Sequence, residues 1–211
     1  MPAEIGFGSH PREIKMIEVI TGCMYSGKSE ELIRRLRRCQ IADQHVLVMK
    51  PALDDRYSTD SVATHVGEKL EAVAVRDTEH VRDLVWERPF SMTGEVIGLD
   101  EVQFMDEHII GVLEEQANMG RRVIVAGLDL DSDGKPFGPM ARLLAVADTV
   151  DKLTAVCVAK NEELDGPCGK AATRTYRIPE HNTGEQIQVG SAGAYEARCR
   201  ACWAKKALLK R

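Results

Sequence analysis

The stretch GCMYSGKS, from Gly22 to Ser29, constrains the fold of this chain more than any other segment. It follows MIEVIT, Met16 to Thr21, an apolar run with the length and β-branched content of a buried strand. It precedes Ser29 to Ile41, where Leu32, Ile33 and Leu36 recur at helical spacing. A chain passing from buried strand to helix through glycine, four residues, glycine, lysine and serine has few backbone solutions. Gly22 and Gly27 let the loop turn so that successive N–H groups point inward, and the positive end of the helix points the same way. The result is a cradle for phosphate oxygens. Its candidate residues are Gly22, Cys23, Met24, Tyr25, Ser26, Gly27, Lys28 and Ser29. Lys28 would neutralise β and γ phosphates, and the Ser29 hydroxyl would ligate Mg²⁺. Arg34, Arg35, Arg37 and Arg38, on the remaining helix positions, read as mainly a solvated face.

Strand and helix patterns continue to alternate. HVLVMK, His45 to Lys50, is a second strand halted by Pro51, and the polar run Ala52 to Thr64 is a long loop. A weaker strand near Val73, a helix from about Thr78 to Trp86 and a strand from Gly94 to Glu101 follow. A helix from Asp106 to Asn118 leads through Gly120 into RRVIVAGLDL, then into the Gly- and Pro-rich DSDGKPFGPM. A short helix from Ala141 to Ala147 and the strand KLTAVC complete the pattern. Such alternation implies an α/β fold on a parallel sheet. The 211 residues suffice for one ordinary domain with a small appendage. The expected organisation is a flexible tail over 1–15, a phosphate-loop α/β domain over 16–150 and a smaller module over 151–211.

Cysteine usage sets the module apart. Cys23 and Cys39 stand alone and read as packing residues, whereas Cys157, Cys168, Cys199 and Cys202 fall together near the C-terminus. Four thiolates suit a tetrahedral structural zinc, with Cys199 and Cys202 as a C-x-x-C pair. Ten residues, VAKNEELDGP, interrupt the other half. The β-like pieces TRTYRI and QIQVG carry too few apolar residues for a core of their own, and a metal would compensate. The N-terminus shows no secretory pattern, so reduced thiols in the cytoplasm are expected. The longest strongly apolar run, Val123 to Leu128, is far short of the roughly 20 residues of a bilayer span. A net charge of -5 argues against general nucleic-acid binding through a basic surface, so an anionic ligand must meet a local site.

That site needs carboxylates, and Asp100 and Glu101 close an apolar strand where a phosphate-loop enzyme places its second metal-holding acid. One can hold Mg²⁺ while its neighbour accepts a proton from an attacking hydroxyl.

Six segments in one order, GCMYSGKSEELIRRLRR, DDRYSTD, GLDEVQF, VIVAGLDLDSDGKPFGPM, KLTAVC and GAYEARCRAC, closely resemble the type II, or human cytosolic, thymidine kinases. The resemblance runs from about Ile17 to Trp203. It implies a RecA-like phosphate-loop core carrying a small C-terminal zinc-binding β module. It further implies ATP-dependent transfer of the γ-phosphoryl to the 5′-hydroxyl of deoxythymidine, giving dTMP for DNA precursor synthesis. In that pattern Glu101 matches the general base, Lys28 the phosphate-contacting lysine and Arg56 an arginine that stabilises transferred charge. Ser29 and Asp100 match the Mg²⁺ positions, and Asp100, Glu101, Val102 and Gln103 join the phosphate loop in the nucleotide site. Leu128 to Phe137 matches a loop closing over the nucleoside. Met24, Phe104, Leu128, Phe137, Thr175, Gly190 and Tyr195 match positions of the substrate pocket, and the four late cysteines match a zinc tying loop to core. A cytoplasmic homotetramer inhibited by dTTP, with neither nucleic acid nor membrane as partner, is also implied.

The chain departs from that pattern in three places. Cys23 stands where proline is frequent. The extension between Cys157 and Cys168 is expected to loop out. Ser132 stands where an aromatic is usual, followed by Asp133 where a basic residue is frequent. Two rival classes are a different phosphate-loop ATPase or small-molecule kinase with a structural zinc, and a nucleic-acid-binding zinc ribbon. The acidic balance and 5% aromatic content weigh against the second.

Overall fold

A computed structural model describes residues 16–52, 61–63, 69–87, 95–161, 165–179 and 193–208. Its centre is a six-stranded sheet. The strands are β1 (Met16–Gly22), β2 (His45–Pro51), β5 (Val73–Val75), β6 (Glu95–Leu99), β7 (Arg122–Gly127) and β8 (Thr149–Leu153), between which β3 (Ser61–Ala63) and β4 (Lys69–Glu71) form a separate antiparallel pair. The spatial order is β5-β2-β6-β7-β1-β8 and every pairing is parallel. Helices supply the crossovers: α1 (Lys28–Ile41), α2 (Thr78–Trp86), α3 (Ile109–Asn118) and α4 (Met140–Val146).

Each central strand is apolar on both faces because helices cover both. Along β1, Ile17 and Val19 join the core formed with α2, α3 and α4, while Ile20 joins the core under α1. Strand β7 repeats the alternation, with Val123 and Val125 on one side, Ile124 and Ala126 on the other. Leu32, Ile33 and Leu36 of α1 are fully buried, as their spacing predicts. Leu36 lies over Gly98, where a Cβ would come within 2.7 Å of its Cδ1. Cys39 is a buried packing residue of the same cluster.

One expectation about α1 fails. Arg34 and Arg38 are exposed, but Arg35 is mostly withdrawn from solvent. It binds Glu18 of β1 at 2.7 Å, Glu31 at 2.8 Å and Asp151 of β8 at 2.5 Å, and Glu18 also takes Arg122 of β7 at 2.5 Å. Glu18 occupies the α1-facing side of a buried strand, so its charge requires cationic partners. The polar run 52–64 also differs from a plain loop, since β3 lies within it, and 53–60 lie outside the described residues.

Beyond the sheet edge come β9 (Ala155–Val156), β10 (Lys160–Asn161), β11 (Gly166–Pro167), β12 (Ala171–Ala172), β13 (Arg174–Arg177), β14 (Tyr195–Arg198) and helix α5 (Arg200–Leu208). They pair antiparallel, β9 with β12, β10 with β11 and β13 with β14. QIQVG lies outside the described residues, as does the tail over 1–15.

Replacing Leu36 by alanine should cost about 2–5 kcal/mol, the range for a fully buried leucine, as a lowered urea midpoint with an unchanged slope.

Candidate active site

Strands β1, β6 and β7 are neighbours in the sheet, so their carboxyl ends bring Gly22, Asp100 and Leu128 to one edge. The phosphate loop has the backbone its glycines allow. Gly22 has φ +141°, where a Cβ would run into the Leu153 carbonyl oxygen, and Gly27 has φ +84° at the start of α1. Lys28 is buried, and its Nζ donates to the Cys23 carbonyl at 3.0 Å across the loop. Ser26 Oγ is buried with no hydrogen-bond partner among the described residues. An orphaned hydroxyl and a lysine in a glycine-turned loop are donors of the kind that phosphate oxygens require.

Ser29 Oγ donates to Asp100 Oδ2 at 2.8 Å, joining loop to β6. These two hard oxygen ligands already converge, as Mg²⁺ requires. Burial, followed by the charge of Glu101, pushes the Asp100 carboxyl up to about 7, against the opposing hydrogen bonds from Ser29 and the Glu101 N–H. A dication would reverse that balance and ionise it. Glu101 has φ +52°, an uncommon conformation outside glycine, and its N–H donates to Asp100 Oδ1 at 3.0 Å. Gln103 Nε2 donates to Glu101 Oε2 at 2.5 Å. Val102 is fully buried in the core, so only its backbone could face a nucleotide.

The module grips the phosphate loop at three successive residues. Cys23 Sγ donates to the Ala172 carbonyl at 3.3 Å, the Met24 N–H donates to Thr175 Oγ1 at 3.0 Å, and the Tyr25 hydroxyl donates to the Tyr195 carbonyl at 3.3 Å. Burial raises the Cys23 thiol above its ordinary range, so it stays a donor at neutral pH. Cys23 packs with Ala155, Cys157, Ala172, Ala197 and Cys199 in one small core. Cys157, Cys168, Cys199 and Cys202 converge there, their sulfurs all within 4.8 Å of one another. Burial opposes the Cys199 thiolate, yet the Cys202 backbone and the thiols of Cys202, Cys157 and Cys168 hold Cys199 down to about 7. Burial and the same neighbouring sulfurs push Cys202 up to about 12. Four thiolates at this spacing need a cation, and soft sulfur in a tetrad fits zinc. The two ends of the interruption VAKNEELDGP pair as β10 with β11, closed at their base by Cys168 N–H to Ala159 and Gly169 N–H to Cys157, and 162–164 lie outside the described residues. The two ends therefore meet despite their separation.

Leu128 to Phe137 is an internally bonded turn. Leu130 bridges Pro136, Asp131 N–H donates to Lys135, and Asp131 Oδ1 accepts from Asp133 and Lys135 N–H groups, both at 2.9 Å. Phe137 meets Phe104 edge to face, centroids 5.4 Å apart. Of the expected substrate residues, Met24 bonds Thr175 through its N–H, the Tyr195 carbonyl accepts from Tyr25, and Leu128 bonds Gln103. Arg56 and Gly190 lie outside the described residues. Sequence reasoning missed Trp203, whose Nε1 donates to the Ser132 carbonyl at 3.2 Å and whose ring lies against Gly134. Its signal was a tryptophan directly after a C-x-x-C pair.

A profile of the family described as "Thymidine kinase" matches residues 15–203. The chain belongs to the thymidine kinase family. It is therefore a kinase of the thymidine kinase type, with a phosphate-loop α/β fold and four cysteines placed to bind a metal. Among solved structures it is similar to the genome packaging NTPase B204 from Sulfolobus turreted icosahedral virus 2 in complex with ATP-gammaS. The TM-score is 0.41 at 16% identity, covering 70% of this chain and 77% of that one. The same NTPase in complex with AMPPCP gives a TM-score of 0.40 at 15% identity, covering 71% and 78%. Among the described residues no helix is long and apolar enough to cross a membrane.

Thr175→Val in this kinase should leave the Met24 N–H without its acceptor, at about 1–3 kcal/mol for an unsatisfied buried donor. Titration calorimetry should show weaker binding of Mg·ADP, by about tenfold, with metal content unchanged.

Proposed function

We propose that the protein is an ATP-dependent thymidine kinase that moves the γ-phosphoryl of ATP to the 5′-hydroxyl of deoxythymidine, yielding dTMP and ADP. The observation that carries this reading is the Ser29–Asp100 hydrogen bond at the mouth of the phosphate loop, with Glu101 next to it. In a phosphate-loop kinase a loop hydroxyl and a strand-end carboxylate hold the metal, and a neighbouring base faces the acceptor. Glu101 takes the proton of the 5′-hydroxyl as that oxygen bonds to the γ-phosphorus. The bond from the γ-phosphorus to the bridging oxygen breaks, and ADP leaves. Lys28, released from the Cys23 carbonyl, follows the charge on the β and γ oxygens, and Arg56 adds a second cation. Ser29 and Asp100 would hold Mg²⁺, which supplies neutralisation of phosphate charge when bound. Phe104, Phe137, Met24, Leu128, Thr175, Gly190 and Tyr195 enclose the nucleoside. A structural zinc on the four cysteines, a cytoplasmic homotetramer and feedback inhibition by dTTP belong to the same reading.

Nucleoside-stimulated ADP release tests it. Deoxythymidine should stimulate release, whereas deoxyguanosine and single-stranded DNA should not. Stimulation by another small acceptor alone would make the protein a different phosphate-loop kinase. Lys28→Ala and Glu101→Gln should both lose turnover by about 10²–10⁴-fold, with Glu101→Gln still binding ATP and deoxythymidine. Near-normal turnover of Glu101→Gln would remove it as the base.

Elemental analysis should find one zinc per chain. Cys202→Ser should lose zinc and thermal stability together, because metal binding contributes folding free energy to so small a module.

A further inference from the structure

We propose that Gln103 is a positioning residue which orients the Glu101 carboxylate and ties it to the backbone of the Leu128–Phe137 turn. The proposal rests on the reading of Glu101 as the base. Gln103 is 2% exposed, and its amide spans two elements. Nε2 donates to Glu101 Oε2 at 2.5 Å, and Oε1 accepts the Leu128 N–H at 3.0 Å. The second bond fixes the first: a backbone N–H can only donate, so Oε1 must face Leu128 and Nε2 must face the carboxylate. The amide cannot flip without placing donor against donor and oxygen against oxygen.

The surroundings are built for this close approach. A Cβ on Gly127 would come within 2.8 Å of Gln103 Oε1, and one on Gly138 would collide with the Gln103 carbonyl oxygen. Glycines at both ends of the turn segment thus let its backbone lie against Gln103. Glu101 and Gln103 flank Val102, whose side chain is anchored in the core. A 3-10 turn over Val102–Phe104, closed by Phe104 N–H to Glu101 at 3.1 Å, sets the distance between carboxylate and amide.

Gln103 has no proton to give up or take in the reaction. Its contribution is to hold one carboxylate oxygen so that the other is directed, and to make that direction depend on where Leu128 sits. A turn that settles over bound nucleoside would therefore align the base through one amide.

Steady-state kinetics of Gln103→Met, Glu101→Gln and the double variant test this. Gln103→Met should lower kcat by about tenfold to a hundredfold while KM for ATP stays within about threefold, because loss of orientation acts on the transition state. In the Glu101→Gln background the same change should cost nothing further, since the carboxylate it positions is gone. A Gln103→Met enzyme with normal kcat, alongside a crippled Glu101→Gln, would overturn the proposal and leave the base assignment standing. An equal loss in both backgrounds would overturn it too, by showing that Gln103 acts elsewhere. Normal turnover of Glu101→Gln would instead sink the base assignment. Should Gln103→Met fold poorly, Gln103→Asn keeps the amide but is one methylene short of bridging both partners. It should lose kcat in the same range, and an unchanged kcat there would equally reject the role.

Discussion

The grip of the C-terminal module on the phosphate loop is the constraint on which the site depends. A glycine-turned loop at a helix N-terminus has the donors for phosphate but little of its own to hold them in place. Here Cys23, Met24 and Tyr25 are each hydrogen-bonded to a residue about 150 positions or more away. The other end of the loop is fixed by α1, packed through Leu32, Ile33 and Leu36, and by the Ser29 bond to Asp100. The module is thus part of what holds the phosphate loop in place. Its small alanine-rich core, with Cys157 and Cys199 inside it, is too slight to be stable by burial alone. A metal on the four sulfurs would stabilise the scaffold against which the loop is held.

The carboxylate pair shows how adjacent residues acquire different roles. In a regular strand Asp100 and Glu101 would point to opposite faces. The left-handed backbone at Glu101 ends that alternation, so both acids can serve one edge of the sheet. Their environments differ as well. Asp100 is buried, bonded to Ser29 and raised toward neutrality, while Glu101 accepts a hydrogen bond from the Gln103 amide. Backbone strain of this kind, of order 1–3 kcal/mol, persists only where the surroundings hold it. The core anchoring of Val102 and the Gln103 bridge are that hold.

What was legible in the sequence was what local patterning dictates. GCMYSGKS, its flanking strand and helix, the acids after β6 and the late cysteines could be placed because each is bound to a short-range rule of backbone or ligand chemistry. The helix expected from about Thr78 to Trp86 is α2, its start fixed by Asp77, which accepts from the His80 N–H. What could not be read depends on partners distant in sequence. Arg35 looks like any exposed arginine of an amphipathic helix until Glu18, Asp151 and Arg122 are brought beside it. The interruption between Cys157 and Cys168 looks like a broken metal motif until β10 and β11 pair. Gln103 is adjacent to the acids, yet its function follows from Leu128 on another strand's end.

These distant contacts join into one chain. Trp203 follows Cys202 directly, and its N–H bonds to the Cys199 carbonyl at 3.0 Å, so its position is set by two of the four sulfur residues. Its ring lies on Gly134 and its indole N–H holds the Ser132 carbonyl. An aromatic ring from α5, on the module side, thus lies against the turn that carries Ser132. At its other end the turn meets Gln103 through Leu128, and Gln103 meets Glu101. Contact continuity alone does not make a signal, and coupling requires an element with two arrangements. The turn touches both ends, Trp203 through the Ser132 carbonyl and Gln103 through the Leu128 N–H, and is bonded internally through Asp131. A lever between the sulfur cluster and Glu101 would require a second arrangement of the turn, so these contacts describe a scaffold that joins the two rather than a switch.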